Sequence, residues 1–350
     1  CVIGQCVGDS LGFLVEGEHT SICTKFVQEC VLPCVEANQI VQSLEDRSIS
    51  KHIEKLGQYS DDSQLARELL LSYTDCQGVI SFWNYANRIA SIVKESRIVG
   101  CGKATARAAA KLNQGVAWDE SGSKVGEAGN GTAMRAAPIG LLCYDDPDLL
   151  VTASELQSKI THKDPRCAAG AVAIAGAVSL CLRYSEFTTD HFLDELSALV
   201  SKVDPEFGTH IKNLKEWLTL SPKKAAVKIG KLGQDFDDGS TGISGFVTSS
   251  VIFSLYAFLR SPYDFVASIY TVISAGGDTD STGAMTGSIS GAFLGLSKLP
   301  KYFTDMIHDK GTWQFSELKE LALKCYHLKQ TVPVTLDQGH GPNSLDNSHE

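Results

Sequence analysis

Two short clusters of oxygen-bearing side chains stand far apart in the chain. Ser60, Asp61 and Asp62 lie together in "YSDDSQ"; Asp278, Asp280 and Ser281 lie together in "GGDTDS". Asp9 and Glu16 add two more acids in "GDSLGFLVEGE". Around Asp278 and Asp280 the chain is almost all Gly, Ala, Ser and Thr, and it runs on as a small-residue segment with little charge before Lys298. Four aspartates brought into such a region repel one another, and burying those charges uncompensated is very costly. A divalent cation removes the cost. Hard oxygen ligands, completed by hydroxyls and water, suit octahedral Mg²⁺ or Mn²⁺, and four aspartates can hold two such ions close together.

The competing reading is capping. Each acid pair stands where a helix begins, and Ser60 or Asp61 can accept a backbone N–H. Asp61 followed by Gln64 even fits a capping box. Taken singly, capping is the simpler account of either pair. Taken together, with a hydroxyl beside each pair and two glycines before Asp278, a metal site is the better one.

A third segment bears on substrate. "GEAGNGTAMR", Gly126 to Arg135, is a glycine-rich loop leading into a helical run, and such loops expose N–H groups to phosphate. It is neither a Walker loop nor a dinucleotide fingerprint, and an ordinary turn explains it equally well. His162 in "THKDPR" opens an Ala-rich helix, where a lone histidine is more often a cap or a core residue than a ligand.

The elements that must position these groups read as helices. "DDSQLARELLLSY" places Leu65, Leu69 and Tyr73 on one face. "ATARAAAKL", "LQSKI", "HFLDELSALVSKV" and "HIKNLKEWLTL" carry helical spacing, and the length of "FVTSSVIFSLYAFLR" favours a buried helix over a strand. No β-hairpin pairing and no repeat of fixed period is visible. The 31 glycines, with many alanines, imply closely packed helices. Loops concentrate at 115–132 and 232–243. Few apolar residues follow Leu336, so 331–350 reads as a disordered tail. The expectation is one all-α domain over 1–330 with about ten helices or more.

Composition sets outer limits. At 350 residues with 43% hydrophobic and 21% charged residues, the chain has an ordinary globular make-up. A formal net charge of −10 argues against nucleic acid or an anionic membrane as partner. The 11 cysteines form no C-x-x-C pair and no zinc pattern, so reduced thiols in an intracellular protein, cytoplasmic or nuclear, are expected. The apolar run Cys167 to Leu182 is short and small-residued, and reads as a buried helix rather than a membrane span. No signal peptide is visible; the chain opens at Cys1, which leaves a removed leader open.

In this order, "GDSLGFLVE", "YSDDSQLA", "GNGTAMRAAPIGL", "THKDPR" and "GGDTDSTGAMTGSISGA" resemble the ADP-ribosylhydrolase family, the ADP-ribosylglycohydrolases. The resemblance covers about residues 1–327. It implies an orthogonal multi-helix bundle with a binuclear Mg²⁺ or Mn²⁺ centre. It implies metal ligation by Ser60, Asp61 and Asp62 from one side and by Asp278, Asp280 and Ser281 from the other. Glu16 matches a mobile glutamate that contacts metal at rest and moves when substrate enters. Val125, Gly126, Glu127, Ala128, Gly129, Asn130 and Gly131 match the loop around the diphosphate and distal ribose. His162 and Ile243 match residues lining the ADP-ribose cleft, and Gly100 and Gly102 in "VGCGKAT" match a glycine pair beside it. The implied reaction is hydrolysis of the bond from C1″ of ADP-ribose to an acceptor, with Asp62 orienting or deprotonating water and Glu16 acting as a gate.

The implied partner is an ADP-ribosylated protein or another ADP-ribose conjugate, acted on by a monomer. Two features depart from the family pattern. Ser60 and Ser281 stand where many members have Thr, which keeps the hydroxyl. Glu127 and Ala128 stand where the vertebrate serine-linkage hydrolase has Ser-Tyr, while "THKDPR" is nearer the bacterial arginine-directed branch. That branch's acidic residue near the Gly100 position is missing here. The acceptor therefore stays open between arginine, serine, poly-ADP-ribose and O-acetyl-ADP-ribose. Two other functions remain: a catalytically silent structural or ADP-ribose-binding relative, and a Mg²⁺-dependent nucleotide hydrolase without a recognisable phosphate loop.

Overall fold

The computed structural model describes residues 1–40, 55–232 and 242–341. Helices carry it. The first half of the chain forms α1 (Val2–Phe13), α2 (Thr20–Phe26), α3 (Leu32–Ala37), α4 (Asp61–Asp75), α5 (Phe82–Lys94), α6 (Lys103–Asn113), α7 (Ala137–Leu142) and α8 (Pro147–Lys159). The second half forms α9 (Pro165–Arg183), α10 (Thr189–Val200), α11 (Pro205–Trp217), α12 (Pro222–Ile229), α13 (Val247–Arg260), α14 (Phe265–Ala275), α15 (Thr279–Leu294), α16 (Lys301–Met306) and α17 (Phe315–Thr331). The class is all-α, as the periodicity of the sequence implies.

Helix starts are written locally. Asp-Pro opens α8, α9 and α11. The Asp carboxylates of Asp146, Asp164 and Asp204 accept the N–H of Leu149, Arg166 and Phe207 respectively. The following Pro lacks an N–H at a position where that N–H has no intrahelical partner.

Glycines decide how the helices cross. Gly4, Gly8 and Gly12 recur every fourth residue along α1, and Gly283, Gly287 and Gly291 do so along α15. A Cβ at Gly8 would lie 2.0 Å from the carbonyl oxygen of Gly283, and one at Gly4 would lie 2.4 Å from that of Gly287. The two backbones touch, as only residues without a Cβ permit. This contact brings the end of α1 beside the start of α15. The Ala-rich helix α9 runs through the interior, with its residues from Ala169 to Cys181 buried. It is long and apolar enough to cross a bilayer, but its place is the core of the bundle.

Two short strands depart from expectation. β1 (Val79–Ser81) and β2 (Thr335–Asp337) pair in parallel, Val79 opposite Thr335. Beyond β2, Trp118 Nε1 donates to the Gly339 carbonyl at 3.2 Å, and the Trp118 ring stacks on His340 and lies tilted against Phe82. Residues 332–341, read from sequence as the start of a disordered tail, thus lie along the surface of the bundle. Backbone pairing, an aromatic stack, the hydrogen bond from Ser81 Oγ to Asp337 Oδ2 and the packing of Val334 and Leu336 against the core hold them. Residues 342–350 of that tail, and 233–241 of the loop expected at 232–243, lie outside the described residues.

Candidate functional site

Helix α4 begins at Ser60, its N-cap, whose hydroxyl accepts from Asp62 N–H at 3.3 Å and donates to Asp62 Oδ2 at 2.8 Å. Capping therefore does occur here, through Ser60. The capping box expected from Asp61 and Gln64 does not form. Gln64 instead donates to Arg97 O at 3.0 Å and Asp309 Oδ1 at 2.7 Å, and accepts from Val99 N–H at 2.8 Å. Asp61 N–H donates to Val99 O at 2.7 Å. Those bonds fasten the Gly100 loop to the head of α4. Asp9, from α1, braces the same turn from below, accepting Ser60 N–H at 2.9 Å and Ser63 N–H at 3.0 Å.

Helix α15 begins at Asp278. Its carboxylate makes no capping bond and accepts instead from Asn130 Nδ2 at 2.6 Å. The two preceding glycines have the positive φ values of 74° and 85° that glycine adopts readily. They let residues 243–247 clasp two segments. Asp278 N–H donates to Ile243 O at 2.7 Å, Asn130 N–H to Gly245 O at 2.9 Å, and Val247 N–H to Ala128 O at 2.9 Å. The glycine pair therefore serves a close backbone approach to another part of this chain.

These segments enclose a cleft of about 490 Å³. Glu16, Asp61, Asp62, Asp278, Asp280 and Ser281 line it, together with Gly100, Gly102, Gly129, Asn130, Gly131 and His162. Ligand oxygens of Glu16, Asp278 and Asp280 lie within 4.8 Å of one another. Asp62 Oδ1 is buried without a hydrogen-bond partner among the described residues.

Six residues expected at the site do not line the cleft. Ser60 is fully buried behind Asp62, with its hydroxyl spent on that carboxylate. Ile243 is core, and only its backbone serves the site, through the clasp. Ala128 is buried beneath the loop, and Val125 is 72% exposed to solvent. Glu127 points outward to an ion pair with Arg107 of α6. Gly126 N–H is held by Asp164 Oδ2 at 2.8 Å. Sequence reading missed Lys103, Thr105, Met134, Ser244 and Gly245, which also line the cleft. Lys103 and Thr105 follow the quoted Gly100–Gly102 pair directly and were the most findable.

The electrostatics follow from burial. Desolvation first, and neighbouring carboxylates second, raise the pKa of Asp61, Asp62 and Asp280 well above the usual carboxylate range. Asp278 is raised by burial, against hydrogen bonds from Asn130 and Ser281. Asp9 is pushed up to about 6 by burial, against its bonds from Ser60 and Ser63. Glu16 is raised by desolvation and by Asp278, with Lys55 opposing. His162 is lowered to about 3 by burial and then by Arg135 and Arg107, so its ring is neutral at pH 7.

Comparison with known proteins gives a consistent picture. The family model described as ADP-ribosylglycohydrolase matches residues 1–334. An uncharacterized protein of Archaeoglobus fulgidus is 27% identical over 338 residues, spanning 95% of this chain and 96% of its own. ADP-ribosylhydrolase ARH3 of Homo sapiens is 26% identical, spanning 86% of each chain. ADP-ribosylarginine hydrolase Tri1 of Pseudomonas putida is 23% identical, spanning 72% of this chain and 62% of its own. Among solved structures, one titled "ADP-ribosylglycohydrolase-related protein complex" superposes with a TM-score of 0.62 at 24% identity, covering 94% of this chain and 96% of that one.

Proposed function

The chain belongs to the ADP-ribosylglycohydrolase family, and on that premise we propose that it hydrolyses the bond between C1″ of ADP-ribose and an acceptor atom. Relatives named as ADP-ribosylhydrolases support hydrolase activity on ADP-ribose conjugates. The observation that carries the reading is the acid cluster in the cleft: Glu16, Asp278 and Asp280 with converging oxygens, facing Asp61 and Asp62.

The donor set fits a divalent cation. It is all oxygen, as hard ions require. Its members repel one another when ionised, and Asp62 Oδ1 has no hydrogen-bond partner among the described residues. We assign Asp61, Asp62, Asp278 and Asp280, with Glu16 and Ser281, to two Mg²⁺ or Mn²⁺ ions; Ser60 braces Asp62. Such ions, when bound, supply positive charge for ribose hydroxyls and ease deprotonation of a water.

The chain's own groups do the rest. Asp62 is held from one side by Ser60, which leaves Oδ1 to orient a water and take its proton. The water oxygen attacks C1″, the bond to the acceptor breaks with its electron pair going to the acceptor, and the proton taken by Asp62 passes on to that acceptor as it leaves. Asn130 fixes the Asp278 carboxylate. Gly129 and Gly131 leave room for a diphosphate beside His162, since side chains there would press on its ring. The cleft volume suits a ligand the size of ADP-ribose. The 11 cysteines, with no C-x-x-C pair and no zinc pattern among them, support an intracellular setting.

The test is release of ADP-ribose from arginine-linked and serine-linked peptides, poly-ADP-ribose and O-acetyl-ADP-ribose, with Mg²⁺, Mn²⁺ or chelator. Metal-dependent release from at least one conjugate is expected. A folded protein that releases ADP-ribose from none of them overturns the reading.

A further inference from the structure

Arg135 is fully buried, and among the described residues no carboxylate lies within ion-pair distance. Its Nε donates to Gln157 Oε1 at 2.9 Å. Its Nη2 donates to Gln157 O at 3.0 Å and to Thr161 Oγ1 at 2.9 Å. The Tyr85 ring stacks over the guanidinium carbon at 5.7 Å. The next link is Thr161 Oγ1, which lies 2.9 Å from Nδ1 of His162. The far side of that ring reaches the cleft, where a Cβ on Gly129 would come 3.4 Å from Nε2 and one on Gly131 would come 2.9 Å from Cε1.

A guanidinium can only donate, so the Thr161 oxygen accepts from Arg135. The hydroxyl proton of Thr161 then needs an acceptor of its own, because buried polar groups are rarely left unpaired. Nδ1 of His162 is the acceptor within reach. An accepting Nδ1 carries no hydrogen, so in the neutral ring the hydrogen sits on Nε2. We propose that Arg135 and Thr161 are positioning residues that fix His162 as its Nε2–H tautomer, which presents a hydrogen-bond donor to a ligand oxygen in the cleft. The lowered pKa of His162 agrees, since a protonated ring has no tautomer to choose.

The chemistry suits the ligand of the proposed function, on which this part rests. Diphosphate oxygens only accept hydrogen bonds, and a ribose ring oxygen does likewise. A histidine fixed as acceptor toward the cleft would repel them.

The experiment is ¹⁵N NMR of histidine-labelled, Mg²⁺-loaded protein, with His162 assigned by its absence in His162→Gln. A pyrrole-type Nε2 and a pyridine-type Nδ1 are expected at neutral pH. Thr161→Val removes the hydroxyl at nearly constant volume. It should mix the tautomers and weaken free ADP-ribose binding by about tenfold, whereas Thr161→Ser should restore both. A wild-type ring with its hydrogen on Nδ1 overturns the inference whatever the ligand. A Thr161→Val protein with unchanged spectrum and affinity also overturns it. If the wild-type protein binds no ADP-ribose at all, the functional reading fails instead, and the ring spectrum alone decides the tautomer.

Discussion

At the scale of single residues, Asp280 is the clearest test of the metal assignment. It is 4% exposed and feels Asp62, Asp278 and Glu16. Asp280→Ala should lower turnover by more than about a hundredfold and weaken Mg²⁺ binding together. The same change removes one of several mutually repelling carboxyls, so the metal-free variant should melt higher than metal-free wild type. Calorimetric Mg²⁺ titration and thermal unfolding measure both, and normal turnover in saturating Mg²⁺ rejects the assignment. Glu16 differs from the aspartates because it is exposed at the cleft mouth, on the turn after α1. As a gate, Glu16→Gln should leave Mg²⁺ affinity largely intact, change the rate and tighten ADP-ribose binding. Full recovery of rate by added metal would make it a plain ligand. His162 gives a pH test. Its folded-state pKa is depressed, so the unfolded chain takes up the proton first and stability is lost as pH falls below the ordinary value of 6.5. Relative to His162→Gln, wild type should lose about 1.4 kcal/mol per pH unit below that value. Parallel profiles in chemical denaturation would show that the ring titrates normally.

At the scale of elements, the site is the meeting of two helix starts with one helix end, and the glycine crossing of α1 and α15 sets that meeting. Gly8→Ala forces a methyl against the Gly283 carbonyl, where neither backbone can yield cheaply. We expect a loss of about 1–3 kcal/mol or more in unfolding free energy. ADP-ribose affinity should fall as well, because Asp278 and Asp280 shift relative to Glu16. Thermal unfolding with calorimetry checks it, and wild-type values for both would show that the crossing is loose. Helix α4 was legible in the sequence from Leu65, Leu69 and Tyr73 at helical spacing, and α9 and α13 from the length of their apolar runs. The register of α1 on α15 was not, since glycines at fixed spacing do not name the helix they face.

At the scale of the whole molecule, the segment after α17 closes one side of the bundle. Trp118 is buried beneath it and donates to Gly339, while Ser81 Oγ donates to Asp337 Oδ2 at 2.9 Å. Removing residues 333–350 should expose Trp118, red-shift its fluorescence and lower the unfolding midpoint by at least about 2 °C. Unchanged fluorescence and midpoint would show that the segment only rests on the surface. Composition alone read this stretch as a tail, because a parallel pair of short strands needs a partner some 250 residues away, and composition carries no trace of it.

The sequence by itself determined the all-α class, the helix starts and the types of side chain available for chemistry. These depend on neighbours in the chain: Asp before Pro, Ser60 before two acids, apolar residues at helical spacing. It also raised the expectation that Asp61, Asp62, Asp278 and Asp280 meet, and all four line one cleft. Only the tertiary structure decided which groups face the cleft. Ser60 and Ile243 turned inward because a capping bond and a core contact claimed them. Glu127 turned outward to Arg107. Asp9 became a brace, and Arg135 reached His162 through Thr161. Each outcome depends on where a hydrogen bond or a packed surface comes from across the fold, and spacing along the chain does not encode that.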